Sequence, residues 1–292
     1  MPVVSFIVAG FMKSGTTTIN DYLLLNDDVA MCNPKEPQFF SRNYGKGITY
    51  YESLWTSTND KICGEASTCY SRWPFYTDVP KRIALYNPNM KLIFIMRHPV
   101  ERAYSHYKHN ILVDRCSYLT FSEALEFSNE ILMSSMYMQQ LNRFLEYFPK
   151  EQILLLDFDE LIKGGIAAKT WEDFIGAKAA QKDTLTKKIV SNPAGFVASK
   201  ADVIHTLSRV RNNILIKTVT NRMFTPIVRR KIRKKIEQYL DKSFLIRKLS
   251  LMKVKKIKCL SQGEREKLLN QLRLDTEELE KFWGKDLSKW KI

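Results

Sequence analysis

The sequence predicts an α/β fold of three layers, with helices covering both faces of a central parallel sheet. Three observations carry this expectation. Apolar runs at Val3–Val8, Lys91–Met96 and Gln152–Phe158 are nearly continuous, as strands buried on both faces must be. Helical patterns separate them, the alternation of a sheet wound with crossover helices. The first run also enters a glycine-bounded turn that opens into a helix reaching Leu25. Strand, loop and helix N-terminus in that order form an anion-binding arrangement.

Within the turn, Gly10 and Gly15 have the separation of a nucleotide-triphosphate P-loop. Thr16, however, stands where the P-loop lysine belongs, and the lysine lies upstream at Lys13. The spacing therefore predicts a P-loop-like phosphate cradle not built for Mg-ATP, with Lys13, Ser14, Gly15, Thr16 and Thr17 as candidate binding residues. The plainer alternative is a glycine turn capped by threonines.

Asn33–Tyr51 follows as a turn-rich aromatic loop, in which Pro34 and Pro37 bracket Lys35 and Glu36 and exclude a regular helix. Ile62–Tyr70 reads as a short strand or loop bearing Glu65, and Lys81–Tyr86 as a helix. Strand Lys91–Met96 ends in Arg97, and Pro99 suits the first turn of a helix running from Val100. Further helices are expected at Phe121–Ser128, Ser134–Tyr147 and Thr170–Ile175, with Glu160–Lys163 and a Gly164-Gly165 turn following the last strand. Val203–Lys258 reads as helical and basic, and Gly263–Phe282 as a polar helix with interspersed leucines. One domain over residues 1–292 is expected, with a nucleotide-binding α/β core in 1–200 and a mainly helical C-terminal elaboration in 201–292.

With 45% hydrophobic and 12% aromatic residues, the chain has ample material for a packed core. No stretch approaches about 18 uninterrupted apolar residues, which argues against a spanning helix. The N-terminus lacks a basic region and a small-residue cleavage site, so the first apolar run is assigned to the core. Five cysteines, Cys32, Cys63, Cys69, Cys116 and Cys259, are odd in number and fall in no metal-ligand spacing. They read as free thiols of a reducing compartment, and a cytoplasmic protein is expected. Net charge is +15, and Arg209–Lys258 holds 17 Lys/Arg against two acids, Glu237 and Asp241, so the whole excess sits in that segment.

Arg97 leaves the carboxyl end of a strand, where ligands bind in open α/β sheets. Ser105 lies two turns into the following helix and can face the same group. An arginine fork with a hydroxyl beside it suits a phosphate. The alternative is that Arg97 pairs with Glu101 and Ser105 is unused.

Together KSGTT and RHPVERAYSHY resemble the phosphate-binding motifs of sulfotransferases that use 3′-phosphoadenosine 5′-phosphosulfate (PAPS). KEPQFF (Lys35–Phe40) is similar to the E-x-x-FF segment of the carbohydrate, heparan-type members, and GEASTCY (Gly64–Tyr70) to their GE-x-[ST]-x-x-Y segment. Tyr137–Pro149, Gln152–Leu161 and Glu278–Trp290 are also similar to family stretches. The resemblance implies that Lys13 and the amides of Gly15, Thr16 and Thr17 stabilise the 5′-phosphosulfate. It also implies that Arg97 and Ser105 hold the 3′-phosphate and that Glu36 is the general base. No metal is expected, since a sulfonate carries less charge than a terminal phosphate and no metal-ligand set is recognisable. Many heparan-type members carry a lysine directly after the Gly-Glu pair, where this chain has Ala66, and the Arg-Lys-Gly loop of cytosolic members has only Asn192–Gly195 as a weak counterpart. His98, His106, His109 and His205 are not assigned as a base; Glu65 either orients a neighbour or is structural.

The implied acceptor is a glycan, a lipid-linked glycan or a small metabolite, with transfer to a hydroxyl or amine. The basic segment Arg209–Lys258 reads as a solvated helical face or as a contact for a polyanion or the inner membrane surface, where it suits peripheral attachment. Nucleic acid ranks last, since no nucleic-acid motif accompanies the charge. Two alternatives stand beside the sulfotransferase reading: a P-loop phosphotransferase, and a catalytically inactive protein that binds a nucleotide or anionic glycan.

Overall fold

The computed structural model describes residues 3–55, 60–112, 120–163, 169–178 and 259–292. Arg209–Lys258, Asn192–Gly195, His205 and Cys116 lie outside the described residues. The chain divides into two units: Met1–His106, Ser122–Ser191 and Ser261–Ile292 form the first, and Tyr107–Phe121 with Asn192–Leu260 the second. The sheet and the candidate site belong to the first.

Five strands build that unit: β1 (Val4–Gly10), β2 (Val29–Met31), β3 (Ile62–Ala66), β4 (Lys91–Met96) and β5 (Ile153–Asp157). All pair in parallel, in the order β2-β3-β1-β4-β5. The three long apolar runs are therefore the adjacent strands β1, β4 and β5, as their two-faced burial requires. β2 was not foreseen, because a strand of three residues has too little periodicity to read. The short helix Ile48–Glu52, inside the stretch read as a loop, was likewise not foreseen.

Alternation along the strands builds a core on each face. Leu92, Phe94 and Met96 of β4 join Ile7 and Ala9 of β1 in one cluster; Ile93 and Ile95 join Phe6 and Val8 in the other. Val4 shares the cluster of Ile7 despite its even position, because the β1–β3 register shifts between Val4 and Phe6. The first face is covered by α3 (Val79–Tyr86), α7 (Tyr137–Leu145) and the long helix Gln262–Trp283, through Ile83, Leu141, Phe144 and Leu279. The second is covered by α1 (Thr16–Leu23), α8 (Phe158–Lys163) and α9 (Lys169–Ile175), through Ile19, Leu23, Leu161 and Trp171. To keep the order of the chain, α2 denotes Ile48–Glu52, α4 Pro99–Leu112, α5 Phe121–Phe127 and α6 Glu130–Met133. Among the described residues no helix is long and apolar enough to cross a membrane.

The long helix starts as its sequence dictates. Ser261 and Glu264 form a capping box, with Glu264 N–H donating to Ser261 Oγ at 3.3 Å and Ser261 N–H to Glu264 Oε2 at 3.0 Å. Farther along, its Asp275 accepts the N–H groups of Met138 (3.1 Å) and Gln139 (2.8 Å). These are donors of the first turn of α7 that have no acceptor inside their own helix. Burial pushes the Asp275 carboxyl up to about 6, against the pull of these amides.

Asp275 thus acts as an N-cap supplied from another helix. Asp275→Ala is expected to cost about 1–2 kcal/mol, read as a lower urea midpoint at unchanged m-value; an unchanged midpoint would show that the cap contributes nothing.

Candidate active site

β1 delivers the chain into the turn Phe11–Gly15 at the carboxyl edge of the sheet. Phe11 N–H donates to Ile95 O at 3.0 Å and Ser14 N–H to Phe11 O at 3.1 Å, folding the turn tightly against β4. Lys13 has φ +70° and Gly15 φ +90°. Two left-handed positions within three residues turn backbone N–H groups toward a common centre, the geometry of an anion nest. Gly15 then serves as the N-cap of α1, whose first turn adds free N–H donors. Ser14 and Thr16 are buried, while Lys13 and Thr17 are half-buried at the mouth. The five loop residues expected from the sequence therefore form one cradle.

Arg97 is brought to this cradle by sheet register. Met96 of β4 pairs with Asp157 of β5, so the next residues, Arg97 and Phe158, emerge side by side. The Arg97 guanidinium lies over the Phe158 ring, its Cζ 4.9 Å from the centroid. The same ring packs against the cradle: a Cβ on Gly15 would meet Phe158 Cδ2 at 2.7 Å. One aromatic side chain thus touches both halves of the expected donor site. Its position is fixed in turn by Asp157, which accepts the N–H groups of Asp159 (2.7 Å) and Glu160 (3.2 Å) and pairs with Lys285 at 3.3 Å. Tyr137 forms a second link, its hydroxyl donating to Arg97 O at 2.8 Å while its ring lies 4.5 Å from that of Phe11.

The guanidinium of Arg97 makes no hydrogen bond to the described residues. Glu101, the partner weighed for it, instead pairs with Arg265 at 2.6 Å. Burial pushes the Glu101 carboxyl up, but the hydrogen bond and charge of Arg265, with Arg97 and His98 behind, hold it below the ordinary range. Ser105 lies one helical turn beyond Glu101, half-buried. The adjacent, core-facing side of α4 carries Arg102 and His106, both fully buried. Arg102 donates to Ser135 Oγ (2.8 Å) and Ile131 O (2.5 Å), and burial brings its guanidinium down to about 10. His106 lies 3.5 Å from Glu130, which also pairs with Arg72. His106 is thus built into the core, in keeping with its not being taken as a base. Burial, then the Arg265 charge, holds the His98 imidazole below its ordinary value.

Glu36 sits on the loop after β2 in a left-handed conformation, φ +58°, followed by Gln38 at φ +51°. Thr68 Oγ donates to its carboxylate at 3.4 Å. The loop hangs on a buried hub that sequence reasoning left undecided. Glu65, fully buried on β3, accepts from Tyr51 (2.8 Å), Tyr70 (2.8 Å) and Ser67 (2.6 Å). Two of those hydroxyls also receive loop amides: Gln38 N–H donates to Ser67 at 3.1 Å and Phe40 N–H to Tyr70 at 3.2 Å. Burial pushes the Glu65 carboxyl up to about 7 against the pull of its three hydroxyl donors, and the charge of Glu36 adds to the rise. Tyr51, which closes the aromatic stretch, is core, stacked on Phe39 at 4.4 Å. Lys35, unassigned on sequence grounds, donates from Nζ to Thr17 Oγ1 at 2.7 Å.

Comparison with known proteins follows this geometry. The family model described as Sulfotransferase domain matches residues 5–242. Human heparan sulfate glucosamine 3-O-sulfotransferase 6 is 30% identical over 190 residues, 61% of this chain and 53% of that protein. Human bifunctional heparan sulfate N-deacetylase/N-sulfotransferase 2 is 31% identical over 180 residues, 53% of this chain and 20% of that protein. The chain thus spans about half the length, or less, of these relatives. A crystal structure of a sulfotransferase from Alicyclobacillus acidocaldarius aligns over 100% of both chains with a TM-score of 0.65 at 19% identity, a likeness of fold.

The Glu65 hub predicts a pH signature. Folding raises the carboxyl from its ordinary 4.5 to about 7, so the folded state keeps a proton that the unfolded chain releases, and stability falls as pH rises through that window. Glu65→Gln removes this slope. The wild-type advantage over the variant is expected to shrink between about pH 5 and pH 7.5 in urea titrations; an advantage that grows would mean that the hydroxyls outweigh burial.

Proposed function

The chain belongs to the sulfotransferase domain family, and on that footing we propose that it transfers a sulfonate group from PAPS to a hydroxyl or amine of a carbohydrate acceptor. The observation that carries the reading is the Phe158 ring, packed on Gly15 along one edge and under Arg97 on its face. A nest of amides with Lys13 on one side of that ring and an arginine fork with no hydrogen bond among the described residues on the other suit a ligand with two separated phosphate groups. The residues present fit the 5′-phosphosulfate at Lys13, Ser14, Gly15, Thr16 and Thr17, and the 3′-phosphate at Arg97 and Ser105.

In the proposed reaction the acceptor atom attacks the sulfonate sulfur in line. A new bond to sulfur forms as the bond from sulfur to the 5′-phosphate oxygen breaks, and 3′,5′-ADP leaves. Catalysis of such a loose transfer rests on positioning and electrostatics. Lys13 and the cradle amides stabilise the charge that grows on the leaving oxygen. Glu36 takes the proton of the acceptor. The names of the relatives, with their heparan sulfate glucosamine and N-sulfotransferase activities, support a carbohydrate acceptor as a class. A net charge of +15, concentrated in Arg209–Lys258, suits the capture of a polyanionic chain.

Calorimetric titration with 3′,5′-ADP, 5′-AMP and Mg-ATP tests the donor site. Binding of 3′,5′-ADP in the micromolar range is expected, with 5′-AMP weaker and Arg97→Ala losing about 10- to 100-fold. Equal affinity for 5′-AMP, or preference for Mg-ATP, would overturn the reading. Glu36→Gln is expected to keep 3′,5′-ADP affinity and lose about 100-fold or more in transfer to heparan-type oligosaccharides; retained transfer would remove Glu36 as the base.

A further inference from the structure

We propose that Lys35 is a second cation of the donor site, delivered from the base-bearing loop onto the first turn of α1, where it binds the 5′-phosphosulfate beside Lys13. The inference rests on the sulfotransferase reading and adds a residue to it. β2 pairs with β3 so that Met31 lies opposite Gly64, and Cys32 N–H continues the ladder to Gly64 O at 3.1 Å. The loop carrying Lys35 therefore leaves the sheet alongside the carboxyl end of β3, next to the anion cradle. There Lys35 Nζ donates to Thr17 Oγ1 at 2.7 Å.

This placement is electrostatically unfavourable for a protein without a ligand. Thr17 belongs to the first turn of α1, the positive end of the helix dipole, where a cation is destabilising. The ammonium is half-buried, and burial holds it below its ordinary value, with Glu36 and then Asp21 pulling back. Its one hydrogen bond among the described residues goes to a neutral hydroxyl, which leaves two of its three N–H donors for another acceptor. A partly desolvated cation and a helix N-terminus thus meet beside the Lys13 loop, with Glu36 and Asp21 as the carboxylates that act on the ammonium, and a bound anion would stabilise them further.

The position after the Gly-Glu pair supplies no such charge. Ala66 is buried in the cluster with Phe6, Val8 and Ile19, facing away from the Glu65 hub. Lys35 provides the cation from the neighbouring loop instead. Because Glu36 is the next residue, and Gln38 and Phe40 tie the loop to Ser67 and Tyr70, cation and proton acceptor are fixed by the same short segment.

Two ligands that differ only in the 5′-phosphate separate the possibilities. Lys35→Met, which keeps the apolar stem, is expected to weaken 3′,5′-ADP binding by about 10- to 100-fold while leaving 3′-AMP affinity unchanged. Lys35→Arg should recover most of the loss, and thermal melting of Lys35→Met should stay close to wild type. Arg97→Ala should instead weaken both ligands. If Lys35→Met leaves 3′,5′-ADP affinity intact, or weakens both ligands equally, the assignment is overturned and Lys35 is a structural tie to Thr17. If the wild-type protein shows no preference for 3′,5′-ADP over 5′-AMP, it is the sulfotransferase reading that fails.

Discussion

The parallel pairing of β4 with β5, Met96 against Asp157, is the constraint on which the site depends. It makes Arg97 and Phe158 neighbours in space although 61 residues separate them in the chain. β1 lies on the other side of β4, with Gly10 opposite Phe94, so the glycine turn opens beside them. A one-residue slip would exchange the two faces of a strand and send its whole apolar set to the wrong cluster. The hydrophobic cores above and below the sheet therefore hold the register, and the register holds the functional residues. Among the described residues the fork of Arg97 has no hydrogen-bond partner, and the Phe158 ring lies beneath it.

A second constraint is the buried carboxylate of Glu65. An unpaired carboxylate in a core is expensive, and the structure meets that cost with three hydroxyl donors. Ser67 and Tyr70 then pass the ordering outward, since each also accepts an amide of the loop that bears Lys35 and Glu36. Loops usually vary in position because little holds their backbone. This one is attached at both Gln38 and Phe40 to a hub inside the sheet, which stabilises the left-handed backbone at Glu36 and Gln38.

The fold was largely legible because its central strands are buried on both faces, which leaves an unmistakable pattern in Val4–Gly10 and Lys91–Met96. β2 and the helix Ile48–Glu52 were not legible, being too short for periodicity to rise above a loop of aromatics and glycines. In the candidate site, Lys13, Gly15 and Arg97 were readable as candidates because anion binding needs those residue types at those spacings; for Ser105 the structure adds only a half-buried place on α4. Phe158 was not readable, since an aromatic after a strand looks like core in any sequence. Nor was Lys35, whose meaning lies in a contact 18 residues back along the chain. The alternatives for Arg97 and Glu65 were settled by partners that spacing cannot reveal: Arg265 for Glu101, and Tyr51 from a separate helix for Glu65.

The cap that Asp275 places on α7 has a consequence for the order of folding. Met138 and Asp275 are 137 positions apart, so this contact closes one of the longest loops in the unit, and long loops close late. During synthesis the sheet, the anion turn and Arg97 leave the ribosome well before the helix that covers them and caps α7. Until residues 262–290 arrive, the faces of Leu141 and Phe144 lack their cover, and the emerging chain carries the glycine turn and Arg97 on an unfinished core. Such an intermediate exposes apolar surface, and any ligand that bound the turn early would act as a folding ligand.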